Sequence, residues 1–586
     1  MAGLSWRLFA NGGVVMTYTR VWKLTVLCLT VSASLFLGIA VAQAQTQAAA
    51  GKAKVDRLVM GLILPYRDYM RPWIVGTPDH NIQHDPAFEW LFEVDPASGQ
   101  YNLWLAESAE MANNGRSWRI KLRQGVQFHH GWGEFTAQDV VHNHALWCDD
   151  KYPGRKDPPS SGYRNGICMV QRVEVVNAHE IVMHCKVVCV DVDFYYSSAS
   201  NVMMFSKKQW DAEGEMGYET KPAGTGPYIF KERQLGRYVL YERAPTPHWK
   251  WGVVDWKELQ MTWTLEEPTR FAQLLAGETH LTEVNKDLVE DAVAKGHKLI
   301  RSRQVAQQIM ITFGGLYFGT EDKATGRYTE YGGITGKLDP KVPWTNIKVR
   351  QAMNKAINRG ELLKVLYKGR ATYMYVHGFY PDLPGWDPTW EKRFEDMYGY
   401  DPAAAKRLLA EAGYPKGFKA KAWLYPFAGA PEFIPLVESV AVQLREVGIE
   451  LELEEADLVT VVQPRLRERK ANWYLRASPP SKKAVESQIA AFNAGKGLPH
   501  MFETDEIYKM WEDLLQMSDP AQRDAQLRKI GNYKFEQFEI IPLFDVFIEV
   551  IVDPKIVEDW AFSGWDGGDL GHTWLIKACK QEKPCK

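Results

Sequence analysis

Short apolar or alternating stretches along the chain predict β-strands. Arg57–Leu64 is almost entirely apolar and is bounded by Pro65, which is typical of a buried strand. Ser117–Arg123 alternates between apolar and polar side chains, as a strand with one face in solvent does. Arg172–Asn177 and Glu180–Cys185 show strand patterns around a two-residue turn, so a hairpin is expected there.

Helices are predicted between these strands from apolar positions at helical spacing. Thr136 and Asp139 have the spacing of a capping box at the start of one helix. Asp401 is a good N-cap before Pro402, and Gly448 is a good C-cap before a further strand at 449–453. The predicted helices cover 136–147, 346–367, 402–412 and 433–447. Strands and helices mixed in this way predict an α/β or α+β fold.

Length and charge narrow the class of protein. A chain of 586 residues is too long for one hydrophobic core, so at least two lobes are expected. The formal net charge is −2, which argues against nucleic acid as the main partner. The 22 tryptophans and 26 tyrosines offer flat amphipathic surfaces for lining a cleft, although most of them should lie in the core.

The N-terminus has the pattern of a secretory signal. Basic residues precede the uncharged stretch Leu24–Ala42, and small residues suited to signal peptidase lie at its end. Residues 1–44 are therefore interpreted as the cleaved signal peptide of a periplasmic protein, with the start codon left open between Met1 and Met16. An uncleaved membrane anchor is the alternative, since roughly 19 apolar residues are long enough to span a bilayer.

Six cysteines remain after the signal, and an oxidising compartment permits disulfides between them. The pairs favoured by proximity in sequence are Cys148–Cys168, Cys185–Cys189 and Cys579–Cys585. The alternative for Cys185 and Cys189 is a metal site, but no second pair has zinc-like spacing. Disulfides are the favoured interpretation.

Searches for catalytic motifs find none that is complete. His179 and His184 are five positions apart, which does not put both on one face of a helix. Gly224 and Gly226 lack the following lysine and hydroxyl of a phosphate loop, and they are expected to supply positive φ in a tight turn. Paired carboxylates are expected to be solvated, so a glycosidase is a minor alternative. The sequence predicts no catalytic residue, no metal and no cofactor.

Five blocks follow one another along most of the chain after the signal. They are Ser117–Val141, Gly224–Trp249, Val349–Arg359, Tyr400–Pro415 and Gln443–Leu453. In this order they resemble the bacterial extracellular solute-binding proteins of family 5, the peptide-, opine- and nickel-binding components of ABC importers. Any one block is a weak signal, and five in the right order are a strong one.

The resemblance implies an α/β, two-lobe periplasmic-binding-protein fold, class II-like and of cluster C, with an extra subdomain in the first lobe. It implies a first lobe at 52–265 and 542–586 and a second lobe at 266–541. The chain is then expected to cross between the lobes near 261–267 and 542–548. Proteins of this kind close on a ligand by hinge motion.

The resemblance also implies a ligand site between the lobes. Peptide-binding members carry an acidic segment that anchors the ligand's amino group. The corresponding stretch here offers Trp473, Tyr474 and Arg476, without an Asp. Arg476 suits a carboxylate, a phosphonate or another anion through bidentate hydrogen bonds. Further candidates for the cleft are Trp423, Phe427, Tyr375, His377, Tyr66 and Arg67.

The function implied by the resemblance is transport and not catalysis. The chain is expected to be a monomeric periplasmic receptor that binds a peptide-like or other small polar solute. Its partners would be the permease subunits of an ABC transporter with their ATPase. A secreted hydrolase or metal-binding protein on a similar scaffold is the alternative.

Overall fold

The computed structural model of the chain describes most residues after the signal-like stretch. The described residues are 53–63, 68–74, 81–157, 159, 164–200, 202–318, 321–322, 327–328, 339–427, 430, 432–481, 484–494, 500–562, 564, 570–580 and 585. The predicted signal peptide and the candidates Tyr66 and Arg67 lie outside these residues. Among the helices described, none is both long and apolar enough to cross a bilayer.

The first lobe is the part of the chain packed around a mixed sheet, which has seven strands within the described residues. In spatial order these strands are β10 (Tyr228–Gln234), β11 (Tyr238–Arg243), β12 (Glu258–Trp263), β1 (Arg57–Leu62), β13 (Leu281–Thr282), β25 (Glu549–Val552) and β14 (Lys298–Arg301). β1 runs parallel to β12 and β13, and β25 runs antiparallel to β13 and β14. The lobe has its own core, in which Trp73, Trp90, Trp147 and Trp256 are fully buried.

The second lobe is the part packed around another mixed sheet, with six strands among the described residues. In spatial order these are β19 (Thr372–Tyr373), β24 (Ile540–Val546), β15 (Gln307–Phe313), β22 (Tyr474–Ser478), β20 (Phe418–Leu424) and β21 (Ile449–Glu455). β20 is parallel to both β21 and β22, and β15 is antiparallel to β22 and β24. Trp344, Trp390 and Trp423 lie in a separate core.

A four-stranded antiparallel sheet packs into the first-lobe core through Ile120, Ile181 and Met183, and it forms the extra subdomain expected there. Its order is β4 (Ala106–Ala112), β5 (Ser117–Leu122), β9 (Glu180–Cys185) and β8 (Val170–Asn177), so the predicted hairpin is confirmed. The remaining described strands form pairs: β2 (Phe92–Val94) with β3 (Tyr101–Leu103), β6 (Gln127–Phe128) with β7 (Gly133–Glu134), β16 (Leu316–Phe318) with β23 (Phe502–Thr504), β17 (Glu321–Asp322) with β18 (Arg327–Tyr328), and β26 (Val557–Trp560) with β27 (Ile576–Ala578).

Helices cover both sheets. The α-helices are Asn81–His84, Ala137–Cys148, Arg164–Ile167, Val192–Tyr195, Lys207–Thr220, Glu267–Ala276, Lys286–Ala294, Ile347–Lys355, Arg359–Val365, Thr389–Tyr398, Pro402–Glu411, Phe433–Glu446, Gln463–Arg467, Val485–Phe492, Asp505–Leu514 and Pro520–Glu536. Shorter 3-10 turns lie at Pro72–Ile74, His129–Gly131, Pro343–Thr345 and Thr573–Leu575, and a π-turn lies at Leu458–Val462.

Local signals placed most helix ends correctly, with one exception. The capping box is present, because the Asp139 carboxylate accepts hydrogen bonds from the Thr136 amide at 2.8 Å and the Thr136 hydroxyl at 3.0 Å. The single helix predicted over 346–367 is wrong: the chain forms two helices with a break before Arg359. Asn358 starts the second of them, since its side-chain oxygen accepts a hydrogen bond from the Glu361 amide at 3.1 Å.

Gly224 and Gly226 serve close packing and do not supply positive φ, which corrects the expectation from sequence. A Cβ atom on Gly224 would overlap the carbonyl oxygen of Ala87, and one on Gly226 would press on Pro86 and Ala87. The Gly226 amide donates to that Ala87 oxygen at 2.9 Å. The two glycines let the backbone run directly against a neighbouring loop of the first lobe.

The cysteines form the three pairs favoured by their proximity. Disulfides join Cys148 to Cys168, Cys185 to Cys189 and Cys579 to Cys585, with Cα–Cα distances of 5.4, 6.2 and 5.7 Å. All three lie in the part of the chain that belongs to the first lobe. The second lobe is held by packing and hydrogen bonds among its described residues.

The chain passes between the sheets at two points. It leaves the first sheet after Arg301 and enters the second at Gln307, and it returns between Val546 and Glu549. The domain division at 265/266 stays a prediction. Strand pairing places β13 and β14, which follow that position, in the first sheet.

Candidate functional site

One edge of each sheet is joined to the other where the chain crosses between the lobes. In the first sheet, Arg301 ends β14 opposite Glu549, which begins β25. In the second sheet, Gln307 begins β15 opposite Val546, which ends β24. The crossing segments 302–306 and 547–548 therefore connect one sheet edge to the other. The parallel strands β1, β13, β20 and β22 all end at these edges. Ligands of α/β proteins bind at such carboxyl ends.

Four charged residues bridge the lobes beside the crossing segments, and they are called here the interlobe cluster: Lys286, Arg370, Glu432 and Glu549. The Glu549 Oε2 atom lies 2.9 Å from Lys286 Nζ and 3.2 Å from Arg370 Nε. Arg370 Nη2 donates to the Lys286 carbonyl at 2.7 Å, and the Lys286 amide donates to Glu432 Oε1 at 3.3 Å. Burial raises the pKa of Glu432, although Lys286 acts against this. These contacts hold the two lobes together beside the crossing segments.

A second polar contact joins the lobes through Arg523. Its Nη2 atom lies 2.9 Å from Glu486 Oε1 in the second lobe and 3.9 Å from Asp191 Oδ1 in the first. Asp191 precedes the helix Val192–Tyr195, which also carries Asp193. Burial, followed by the neighbouring Glu486, raises the pKa of Asp191 well above its usual value. Two carboxyl groups, those of Glu486 and Asp191, thus lie beside one guanidinium where the lobes meet.

Asp193, two positions after Asp191, is expected to contribute to a pH-dependent stability. Burial raises the pKa of Asp193 from 3.8 to about 6, although the Phe194 amide lowers it. Between these values the folded state binds more protons than the unfolded state, so this contribution to stability is present below about pH 4 and lost as the pH rises through 6. We expect Asp193→Asn to abolish this loss of stability at rising pH. Its free energy of unfolding relative to wild type should rise by up to ~3 kcal/mol from pH 4 to pH 7.

Denaturant unfolding at a series of pH values measures this difference. Asp396→Asn changes an exposed aspartate of the second lobe and is the matched control. Its curve should run parallel to that of wild type over the whole range. Parallel curves for Asp193→Asn would show that the Asp193 carboxyl is hydrated in the folded protein.

Arg476 is a buried cation on a central strand of the second sheet. It lies on β22, beside Thr312 of β15 and Trp423 of β20, and only 8% of its surface is exposed. Its Nε and Nη2 atoms are buried without a hydrogen-bond partner in the described structure. Burial raises the pKa of Tyr425 and lowers that of His377 well below its usual value, and the Arg476 charge acts against the first shift and adds to the second. Arg476 also hydrogen-bonds to Tyr425, which places that ring beside the guanidinium.

Three of the residues predicted for the ligand site therefore come together with Arg476. Trp423 is its register partner on β20, and Tyr474 lies two positions before it on the same face of the sheet. The rings of Trp423 and Tyr474 stack at 4.3 Å with an interplanar angle of 19°. His377 is fully buried and hydrogen-bonds through Nε2 to Gln488 Oε1 at 3.2 Å. Their roles in ligand binding stay predictions.

The other described candidates, Trp473, Phe427 and Tyr375, make their contacts within the second lobe. Trp473 precedes β22 at the sheet edge away from the crossing segments, where its Nε1 donates to Asp339 Oδ2 at 3.3 Å. Phe427 packs on Phe433 at 5.8 Å between ring centroids. Tyr375 packs against Trp386 at 6.0 Å and Phe394 at 5.0 Å.

Sequence reasoning missed the interlobe cluster. Its members are separated by up to 263 positions along the chain, from Lys286 to Glu549, and a pattern within a short window does not reveal such contacts. One local signal was present, because Glu549 is an isolated acid in the apolar run that follows β24. Among the described residues, no group of three or more His, Cys, Asp or Glu side chains is arranged to hold a metal ion.

Comparisons with known proteins place this geometry in a family. The model for bacterial extracellular solute-binding proteins, family 5 Middle, matches residues 100–497. Heme-binding protein A of Haemophilus influenzae is 26% identical over 395 residues, which cover 64% of this chain and 66% of that protein. Di/tripeptide-binding protein 1 of Pseudomonas aeruginosa is 24% identical over 368 residues, which cover 60% of this chain and 62% of that protein. The aligned part is under two thirds of either relative's length.

A solved structure shows the same fold over nearly the whole chain. The dipeptide binding protein from Pseudoalteromonas sp. SM9913, in complex with Met-Leu, superimposes with a TM-score of 0.73 at 19% sequence identity. The match covers 90% of this chain and 100% of that chain. This likeness confirms the two-lobe fold of periplasmic binding proteins that was expected from sequence.

Proposed function

This chain belongs to the bacterial extracellular solute-binding proteins, family 5, and we propose that it captures a small polar, peptide-like solute between its lobes for delivery to an ABC importer. The observation that carries this proposal is the pair of short crossing segments that join the edges of the two sheets at which parallel strands end. The family match and the relatives that bind heme and di- or tripeptides support it. The protein acts as a receptor, and permease subunits with their ATPase are its partners.

Hinge motion about the crossing segments gives the proposed mechanism. Closure brings Glu549 of the first lobe against Arg370 of the second, while the solute is enclosed between the sheet edges. Exclusion of water strengthens the polar contacts to the solute. Since the ligand binds the closed form more tightly than the open form, binding increases the fraction of molecules in the closed form. The interlobe cluster sets how much binding energy this shift requires.

The proposed compartment is the periplasm. The pattern of basic residues, the uncharged stretch Leu24–Ala42 and the small residues behind it support a cleaved signal peptide. The three disulfides fit an oxidising compartment. We propose that the exported chain works as a monomer, since one copy contains both of the joined sheet edges.

Thermal unfolding of the protein without residues 1–44 tests the proposal. The probes are di- and oligopeptides, opines, sugars and Ni²⁺, with D-peptides as the matched control for the L-peptides. We expect one solute class to raise the unfolding midpoint by mass action and to reduce the radius of gyration in small-angle X-ray scattering. Solutes are also assayed for chemical change by mass spectrometry. Turnover of a solute without closure of the lobes would reject the receptor in favour of a secreted hydrolase.

A further inference from the structure

The Arg476 guanidinium has one complete edge left open. Nε and Nη2, the two atoms without a partner, are neighbours on the same side of the planar group. That edge carries two parallel N–H donors, and it matches the two oxygens of a carboxylate or a phosphonate. Burial of such donors without acceptors costs free energy. An open edge on an arginine this deeply buried is typical of a site that is completed by a ligand.

The salt bridges among the described residues include none made by Arg476. Its Nε and Nη2 atoms receive no carboxylate oxygen from the described residues. Burial lowers the pKa of His377 well below its usual value and raises that of Tyr425, so both neighbours are neutral near pH 7. The Tyr425 hydroxyl donates to the Ala477 carbonyl at 2.7 Å and also hydrogen-bonds to Arg476, and His377 bonds to Gln488, so neither supplies a negative charge. A buried cation of this kind favours an anion as its partner.

Arg476 lies near the edge of the second sheet that the crossing segments join to the first lobe. Arg476 pairs with Trp423, the penultimate residue of β20, and Tyr425 directly follows the end of that strand. Because the guanidinium lies close to Tyr425, the open edge is near the carboxyl ends of β20 and β22. These strand ends belong to the sheet edge that the crossing segments join to the first lobe. The stacked rings of Trp423 and Tyr474 supply an apolar wall beside it.

We propose that Arg476 binds an oxyanion of the transported solute, a carboxylate or a phosphonate, through the two N–H groups of its open edge. This inference rests on the proposed capture of a solute between the lobes and names the chemical class of that solute. Selectivity then depends on the anionic end of the solute. A solute with a free amino group and no anionic group would leave the guanidinium unpaired.

Thermal unfolding in small oxyanions tests the site without knowledge of the natural solute. The probes are acetate, methylphosphonate and inorganic phosphate, each compared with chloride at the same ionic strength. We expect acetate or methylphosphonate to raise the midpoint of the wild-type protein. Arg476→Met removes the charge and keeps a side chain of similar length. It should raise the dissociation constant of the anion about 100-fold. Arg476→Lys keeps the charge but loses the planar pair of donors, and this variant should raise the dissociation constant about tenfold.

Arg119→Met is the matched control, because the Arg119 side chain is exposed on the extra subdomain and pairs with Glu180 at 2.6 Å. It should respond to each anion as wild type does. Circular dichroism checks that each variant is folded, and Arg476→Lys carries the test if Arg476→Met unfolds. An equal response of wild type and the Arg476 variants would overturn the site, and so would a response to no oxyanion beyond that to chloride.

Capped peptides separate this inference from the proposed function. N-acetyl-dialanine keeps the carboxylate and lacks the amine, and dialanine amide keeps the amine and lacks the carboxylate. We expect only the first to stabilise wild type and to lose its effect in Arg476→Met. Binding and lobe closure with the amide alone would reject the anion site while the receptor function stands. A specific oxyanion site without closure by any solute would reject the receptor function instead.

Discussion

Glu549→Gln is expected to destabilise the folded protein by about 3 kcal/mol. The Glu549 side chain is 2% exposed and faces two cations, Lys286 at 2.9 Å and Arg370 at 3.2 Å. Removing one partner of a buried ion pair leaves the other charge uncompensated and typically costs ~3–5 kcal/mol. We expect the low end of that range, since the amide oxygen of glutamine still accepts a hydrogen bond.

The same substitution should loosen closure of the lobes, because opening gives Lys286 and Arg370 access to water. Thermal unfolding measures the stability, and small-angle X-ray scattering should show a larger radius of gyration. Glu450→Ala is the control: Glu450 pairs with Lys419 on the surface, where the side chains are 59% and 86% exposed. Such a pair contributes under ~1 kcal/mol. Equal stability of Glu549→Gln and wild type would mean that the interlobe cluster is hydrated and does not hold the lobes together.

Lys534→Met is expected to have a comparable effect inside the second lobe. Lys534 is fully buried, with Nζ 3.3 Å from Glu539 Oε1 and donating to the His377 carbonyl at 2.8 Å. Burial lowers the pKa of Lys534 and raises that of Glu539, because removal from water disfavours the charged form of each group. Methionine fills the space of the lysine but leaves the Glu539 carboxylate alone, so we expect a loss of ~3–5 kcal/mol.

The double variant Lys534→Met/Glu539→Gln is the decisive comparison. The amide at 539 has no charge to compensate and can still accept the hydrogen bond that Asn493 Nδ2 gives the wild-type carboxylate at 3.2 Å. We therefore expect it to recover most of the lost stability in denaturant unfolding. A double variant no more stable than Lys534→Met would locate the cost in packing or in the lost bond to His377.

Local chemistry was read well from the sequence because its causes lie within a few positions. The capping box at Thr136 and Asp139 formed as expected, and the hairpin of β8 and β9 has the predicted strands. The break before Arg359 was missed because apolar spacing continues through it. Only the Asn358 side chain, which bonds to the Glu361 amide, marks the start of the new helix.

The candidate site was harder to predict, since its polar contacts join distant segments. Several aromatic residues near strand ends were predicted to line the ligand site. Of these, Tyr375 and Phe427 pack within the second lobe. Arg476 was identified from a resemblance, and its significance came from the two unpaired atoms that the structure shows. Composition does not predict which buried cation will lack a partner, because that depends on every segment packed around it.

The crossing segments make the second lobe a guest inserted into a host domain. Gln307 and Val546, at the guest's two ends, are neighbours in one ladder, and Arg301 and Glu549 are neighbours in the host. Cutting at both crossings would therefore leave three pieces: the guest, whose two ends are neighbours, and two host pieces whose cut ends are neighbours. A tight hairpin between β14 and β25 could rejoin the host at little cost in loop entropy. Recombination between relatives could thus exchange the whole second lobe. The exchange would replace the side chains that this lobe contributes to solute binding and leave those of the first lobe unchanged.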